Sequence, residues 1–134
     1  MSIVVDASAI MPLALDGEDA SLAEAALRAI VTEGGFVPAL FWYEIRNVLL
    51  HSERRGRTSS ERVVEFLADV EALPLTVDFP PHSDAVMNYA RRHTLTAYDA
   101  TYLELTLRTG SRLASHDEPL RRAVLSEGGQ LFTT

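Results

Sequence analysis

The run Ile3-Val4-Val5, closed by Asp6, constrains this chain more than any other stretch. Three consecutive apolar residues do not alternate with polar ones, as they would in a strand with one wet face. The run therefore reads as a strand covered on both faces, the central strand of a parallel sheet. The small residues Ala7 and Ser8 follow Asp6, where the chain must turn into a helix. In open α/β sheets the working crevice lies outside the carboxyl ends of the strands. Asp6 stands at such an end, either as a structural cap or as the first piece of a site.

The rest of the chain alternates between the two periods. Ala9 to Leu15 reads as a short helix, with Pro12 tolerable only in its first turn, and Asp16-Gly17-Glu18-Asp19 as a solvated turn. A helix from Ala20 to about Thr32 carries Leu22, Ala26 and Ile30 on its buried side, with Ala25 and Ala29, and Gly34-Gly35 stops it. Phe36-Val37-Pro38 reads as a second strand and Ala39 to Ser52 as an apolar helix. Thr58-Ser59-Ser60-Glu61 looks like a capping box opening a helix to about Ala72, with Val63, Phe66, Leu67 and Val70 inward. Leu73 to Val77 is a third strand, which Pro80-Pro81 cannot continue. A helix from about Ser83 to His93 buries Val86, Tyr89 and Ala90. The next begins at Leu95-Thr96-Ala97-Tyr98-Asp99, buries Tyr98, Tyr102 and Leu105, and ends at Gly110. Arg112 to Ser115 is a fourth strand, closed by His116-Asp117, then a helix from Leu120 to Leu125 and a short strand from Gln130 to Thr133. This alternation predicts a three-layer α/β/α fold with a central, mainly parallel sheet and right-handed crossovers. At 134 residues and 47% hydrophobic content it predicts one domain, residues 1–134, with a sizeable core.

Composition removes several chemistries. Without cysteine there are no disulfides, zinc–thiolate sites or thiol nucleophiles. All twelve basic residues are Arg, so a P-loop lysine, a Schiff-base lysine and a kinase-type lysine are excluded. The start has no basic leader and no run approaches a membrane span, so a soluble, cytoplasmic protein is expected. A net charge of −7 is not the footprint of a general nucleic-acid binder, but it accommodates divalent cations or a basic partner.

Four acids have both a bland and a chemical reading. Asp6 could satisfy backbone amides of its own turn. Glu44 lies on the border of its helix's apolar stripe, with Leu40 and Val48 about 40° to either side and Asn47 and His51 along the same polar edge; it could be a snorkelling surface residue. Asp99 fits a capping box with Thr96, and Asp117 before Glu118-Pro119 fits an N-cap. Taken together, however, all four fall near the strand-to-helix edge of a parallel sheet, where they can share one crevice. Two carboxylates about 4 Å apart repel by roughly 4 kcal/mol at an effective dielectric of 20. With no Lys and no adjacent Arg, a hard divalent ion is the natural neutraliser, and oxygen-only ligands select Mg²⁺ or Mn²⁺. Ser8 could orient Asp6 or a water, or cap its helix.

Four ordered motifs carry a family resemblance. They are Val4-Val5-Asp6-Ala7-Ser8-Ala9; Pro38 followed by Glu44-Ile45-x-Asn47-Val48-Leu49; Leu95-Thr96-x-Tyr98-Asp99-Ala100-x-Tyr102-Leu103; and Leu113-Ala114-Ser115-x-Asp117. The chain resembles PIN-domain ribonucleases end to end, above all the VapC-type toxins of bacterial toxin–antitoxin pairs. The resemblance implies RNA phosphodiester cleavage with Mg²⁺ or Mn²⁺, with Asp6, Glu44, Asp99 and Asp117 as the acidic positions. It also implies a homodimer, and neutralisation by a small DNA-binding antitoxin whose tail enters the acidic groove. His116 departs from the apolar or small residue usual there and reads as a surface loop residue.

On this reading one or two ions held by the four acids activate a water for in-line attack. Arginines in Arg54–Arg57, Arg91–Arg92 and Arg121–Arg122 steer the RNA backbone. Phosphoryl transfer on an aspartate would want a second acid beside Asp6 and a lysine, and both are missing. A non-catalytic PIN-like module docking a basic partner in the same groove remains the alternative.

Overall fold

The computed structural model describes residues 1–79 and 81–134. Five strands form one sheet: β1 (Ile3–Val5), β2 (Gly35–Pro38), β3 (Leu75–Asp78), β4 (Arg112–Ala114) and β5 (Gln130–Leu131). All pair in parallel, in the order β3-β2-β1-β4-β5. The helices are α1 (Ala7–Ile10), α2 (Ser21–Glu33), α3 (Leu40–Arg54), α4 (Ser60–Glu71), α5 (Ser83–His93), α6 (Ala97–Thr109) and α7 (Glu118–Ser126). The fold is the expected three-layer α/β/α arrangement.

β1 is the middle strand, and Ile3, Val4 and Val5 are at most 1% exposed. Its neighbours approach closely. Ile3 pairs with Gly35 on one side and Arg112 on the other. A Cβ on Gly35 would sit 2.9 Å from the Ile3 carbonyl oxygen, so only glycine allows this contact without a shift.

The strand order places a crevice in the sheet. After β1 the chain crosses to β2 on one side, and after β4 it crosses to β5 on the other. Right-handed crossovers then put the two intervening helical segments on opposite faces. The carboxyl ends of β1 and β4 thus flank a topological switch point, where an open α/β sheet leaves room for a ligand.

Several boundaries differ from expectation for local reasons. The first helix begins two residues early, because the Asp6 side chain caps it, and stops at Ile10, where Pro12 tightens the chain into a 3₁₀ turn, Met11–Leu13. α4 is capped by Ser59 rather than Thr58; its hydroxyl accepts the Arg62 amide, and the buried Thr58 hydroxyl has no partner among the described residues. β3 starts at Leu75, not Leu73. α7 starts at Glu118 because Asp117 caps it and Pro119 fits its first turn. The Pro80-Pro81 break falls in part on Pro80, which lies outside the described residues. Tyr98 corrects the expectation most plainly. It is 66% exposed, because the first turn of α6 leaves it uncovered, while Tyr102 and Leu105 are buried as expected. On α3 the buried stripe runs Phe41, Ile45, Leu49 and Ser52, leaving Val48 exposed and Glu44 about 60° round from Phe41, on the border.

Among the described residues no helix is long and apolar enough to cross a membrane.

Candidate active site

Asp6 leaves β1 at the switch point and is 6% exposed. Its Oδ1 accepts the Ser8 hydroxyl at 2.6 Å and the Ala9 amide at 3.1 Å, and Oδ2 accepts the Ser115 hydroxyl at 2.5 Å. Burial pushes its pKa up against the lowering of those three bonds, and the charge of Asp117 pushes the same way as burial. The two serines join the strand ends. Ser115 Oγ also accepts the Asp117 amide at 3.0 Å, and Ser8 Oγ accepts the His116 amide at 2.9 Å. His116 itself has an exposed side chain.

Asp117 caps α7, its Oδ1 accepting the Leu120 amide at 3.1 Å. Asp99 lies in the first turn of α6, where the cap is made by Thr96, whose hydroxyl accepts the Asp99 amide at 3.1 Å. That bond uses the Asp99 backbone and does not consume its carboxylate for capping. Burial raises the Asp99 pKa, Asp117 adds to it, and the Thr96 hydroxyl opposes. Glu44 is partly exposed in the second turn of α3, and its Oε1 accepts the Tyr102 hydroxyl at 2.5 Å. Its pKa is raised by burial, lowered by Tyr102, and raised again by Asp6 and Asp99.

The repulsions close a circuit: Asp6 with Asp117, Asp117 with Asp99, Asp99 with Glu44, and Glu44 with Asp6. Among the described residues none of the four carboxylates is in a salt bridge. The nearby Arg121 is engaged elsewhere. It donates to the Ser115 carbonyl at 3.0 Å and pairs with Glu118 at 3.1 Å. Arg57 and Arg92, expected among the RNA-steering arginines, pair with Glu18 and Glu127.

Among the described residues no three of His, Cys, Asp and Glu stand close enough to hold one ion between them. The donor set still suits a hard cation: it is all oxygen, anionic and without a cation of its own. Mg²⁺ keeps several waters and is commonly bound through only one or two carboxylates plus substrate phosphates, so a tight protein cage is not required. Asp117 Oδ2 and Glu44 Oε2 have no hydrogen-bond partner among the described residues.

Two participants escape a reading of the sequence. The spacing of Tyr102 marks it as core, and it is 1% exposed, yet its hydroxyl reaches Glu44. A position three residues beyond Asp99, about 60° round the same helix face, is the available signal. Ser115 reads as the end of a strand and as one position of the Leu113-Ala114-Ser115-x-Asp117 motif, with no role of its own. Its place directly after β4 and two residues before Asp117 is the available signal. The apolar cleft of about 550 Å³ between α2 and α4, lined by Leu27, Val31, Phe66 and Val70 among others, contains none of these groups.

Fold and side chains together define a parallel α/β domain that carries Asp6, Glu44, Asp99 and Asp117, and no lysine, on the elements that follow its strands. The PIN domain family model matches residues 3–124, and the chain belongs to the PIN domain family. The fold is similar to the crystal structure of PAE2754 from Pyrobaculum aerophilum, at 27% identity and a TM-score of 0.71, covering 92% of this chain and 84% of that one. It is also similar to Mycobacterium tuberculosis VapC20, described as a sarcin–ricin loop cleaving toxin, at 17% identity and a TM-score of 0.60, covering 91% and 95% of the two chains. No curated protein matches the chain.

Proposed function

We propose that this protein is a metal-dependent endoribonuclease acting as the toxin of a type II toxin–antitoxin pair, with Asp6, Glu44, Asp99 and Asp117 as its catalytic and metal-binding acids. The observation that carries the reading is geometric: Ser115 ties Asp6 to the Asp117 backbone, Tyr102 ties Glu44 to the helix that carries Asp99, and among the described residues none of the four carboxylates is in a salt bridge. PIN family membership and the fold's likeness to VapC20 support the RNA-cleaving role. Residues 1–134 act as one domain, in the cytoplasm, as a homodimer held in check by a small antitoxin.

Bound in the cleft, Mg²⁺ or Mn²⁺ would offset the acids' repulsion, polarise the scissile phosphate and lower the pKa of an attacking water. The chain's own contribution is placement. Ser8, Ser115 and the Ala9 amide hold Asp6 in one orientation. Tyr102 holds Oε1 of Glu44, so that Oε2 is the oxygen free to face a ligand. Asp117 is fixed through Oδ1 by the helix it caps, which leaves Oδ2.

Asp6→Asn and Asp99→Asn should each abolish Mn²⁺-dependent cleavage of RNA while the far-ultraviolet circular dichroism stays that of the wild type. Cleavage at the wild-type rate by either variant refutes the assignment. Mn²⁺ should also stabilise the wild type by mass action, about 2.7 kcal/mol at a hundredfold excess over Kd. No melting shift at millimolar ion would instead favour a non-catalytic module that docks a basic partner.

A further inference from the structure

Beside the acids lies an open groove of about 560 Å³, whose walls include Tyr43, Glu44, Arg46, Asn47 and Tyr98. Glu44 is itself one of the walls, so the groove opens directly onto that acid. Tyr43 and Tyr98 are 72% and 66% exposed, and each directly precedes a cleft carboxylate, Glu44 and Asp99. Among the described residues neither ring takes part in an aromatic pair or lies under a cation. Two bare aromatic faces thus stand next to the position where the ribonuclease reading puts a scissile phosphate.

We infer that this groove is a subsite for unpaired RNA bases flanking that phosphate, with Tyr43 and Tyr98 each stacking a base and Arg46 facing the backbone. The inference rests on the ribonuclease proposal and extends it. A chain of net charge −7 gains little from general electrostatic attraction to RNA beyond its local arginines. Base–aromatic stacking does not depend on charge, and it tolerates any base because every base has a π-face. Arg46 adds a local positive group; its guanidinium lies 5.9 Å from the Trp42 ring centroid, which orients it without neutralising it. A second copy of the chain fits this groove less well. It would bury the partly desolvated Glu44 further, and charged residues are depleted from the cores of protein interfaces.

The test is fluorescence polarisation in Mg²⁺ buffer with a labelled, unpaired RNA of roughly ten nucleotides, its phosphates replaced by phosphorothioates, which a hard ion coordinates poorly, to slow hydrolysis. Tyr43→Ala and Tyr98→Ala should each weaken binding by about 5- to 150-fold, the worth of one stack converted at the usual free energy per decade. Tyr43→Phe and Tyr98→Phe keep the ring and should bind as the wild type does. An RNA with abasic sites should bind the wild type as weakly as the intact RNA binds the Tyr43→Ala/Tyr98→Ala double variant. Alanine variants that bind normally overturn the inference and leave the ribonuclease reading standing. Sedimentation showing that they have fallen from dimer to monomer also overturns it, by making the groove an interface between copies. If the wild type binds no RNA at all, the ribonuclease reading fails and the inference falls with it.

Discussion

Tyr102→Phe removes one oxygen atom and leaves a ring that fills the same buried space, so no cavity term enters. What is lost is the 2.5 Å hydrogen bond to Glu44 Oε1. A hydrogen bond to a charged group contributes about 1.5–3 kcal/mol. Glu44 is partly exposed, so water can take over some of the lost solvation, and the low end, about 1.5 kcal/mol, is expected. At about 2.1 cal/mol/K per residue, unfolding 134 residues carries an entropy near 0.3 kcal/mol/K, so the melting temperature should fall by about 5 °C. The sign with pH depends on which form of Glu44 the hydroxyl prefers. It donates to the ionised carboxylate and lowers the Glu44 pKa, although burial leaves that pKa above the ordinary glutamate value. The gap between wild type and variant is therefore fully present above the Glu44 titration, and it shrinks as pH falls through that titration and the charge is lost. The assay is thermal unfolding of both proteins in EDTA at about pH 8 and again near pH 4. A gap of equal size at both would refute the reasoning, because the hydroxyl would then not be acting through the charge of Glu44. So would a double-mutant cycle with Glu44→Gln that shows no coupling.

The same geometry has two further consequences. Ser115→Ala strands Asp6 Oδ2 and the Asp117 amide together, and should cost about 2–4 kcal/mol in urea unfolding at neutral pH; a loss below about 1 kcal/mol would mean that water replaces the hydroxyl. Asp6, Glu44 and Asp99 all have raised pKa values, chiefly through burial, so the folded state binds their protons more tightly than the unfolded chain does. Metal-free protein should therefore lose stability as pH rises from the normal carboxylate range through the raised values, and Mn²⁺ should restore it at neutral pH. A metal-free melting temperature that instead climbs over that interval would refute the raised values.

The elements that can be read from residues alone are those whose cause is local. β1 is legible because burial on both faces removes alternation from its sequence. The caps at Asp6, Thr96 and Asp117 are legible because a side chain three residues from its amide partner is a short-range device. Tyr98 departs from its expected burial because periodicity gives a helix face but not the point at which the covering layer ends. Thr58 and Ser59 are adjacent hydroxyls, and only the backbone conformation at Ser59, extended before a helical turn, decides which of them caps. The order β3-β2-β1-β4-β5 is not legible at all, since alternating strands and helices fit several orders. Yet that order puts β4 beside β1, and so Ser115 beside Asp6, 109 residues apart in the chain. Tyr102 and Glu44, 58 apart, meet for the same kind of reason.

That distinction dissolves the choice the four acids first posed. Each looks either like a cap or like part of a site, as though the roles competed for one carboxylate. A carboxylate has two oxygens, and Asp117 gives one to the helix it caps while the other keeps its lone pairs. Glu44 divides in the same way between Tyr102 and the cleft. For Asp99 the cap is made by its own amide to Thr96, so its position is fixed through the backbone. For Asp6, Asp117 and Glu44 the structural bond is what immobilises the carboxylate, and an immobilised acid meets a ligand without a further ordering cost. Short-range capping signals at strand ends are thus evidence toward a site of this kind, provided the sheet order brings the ends together.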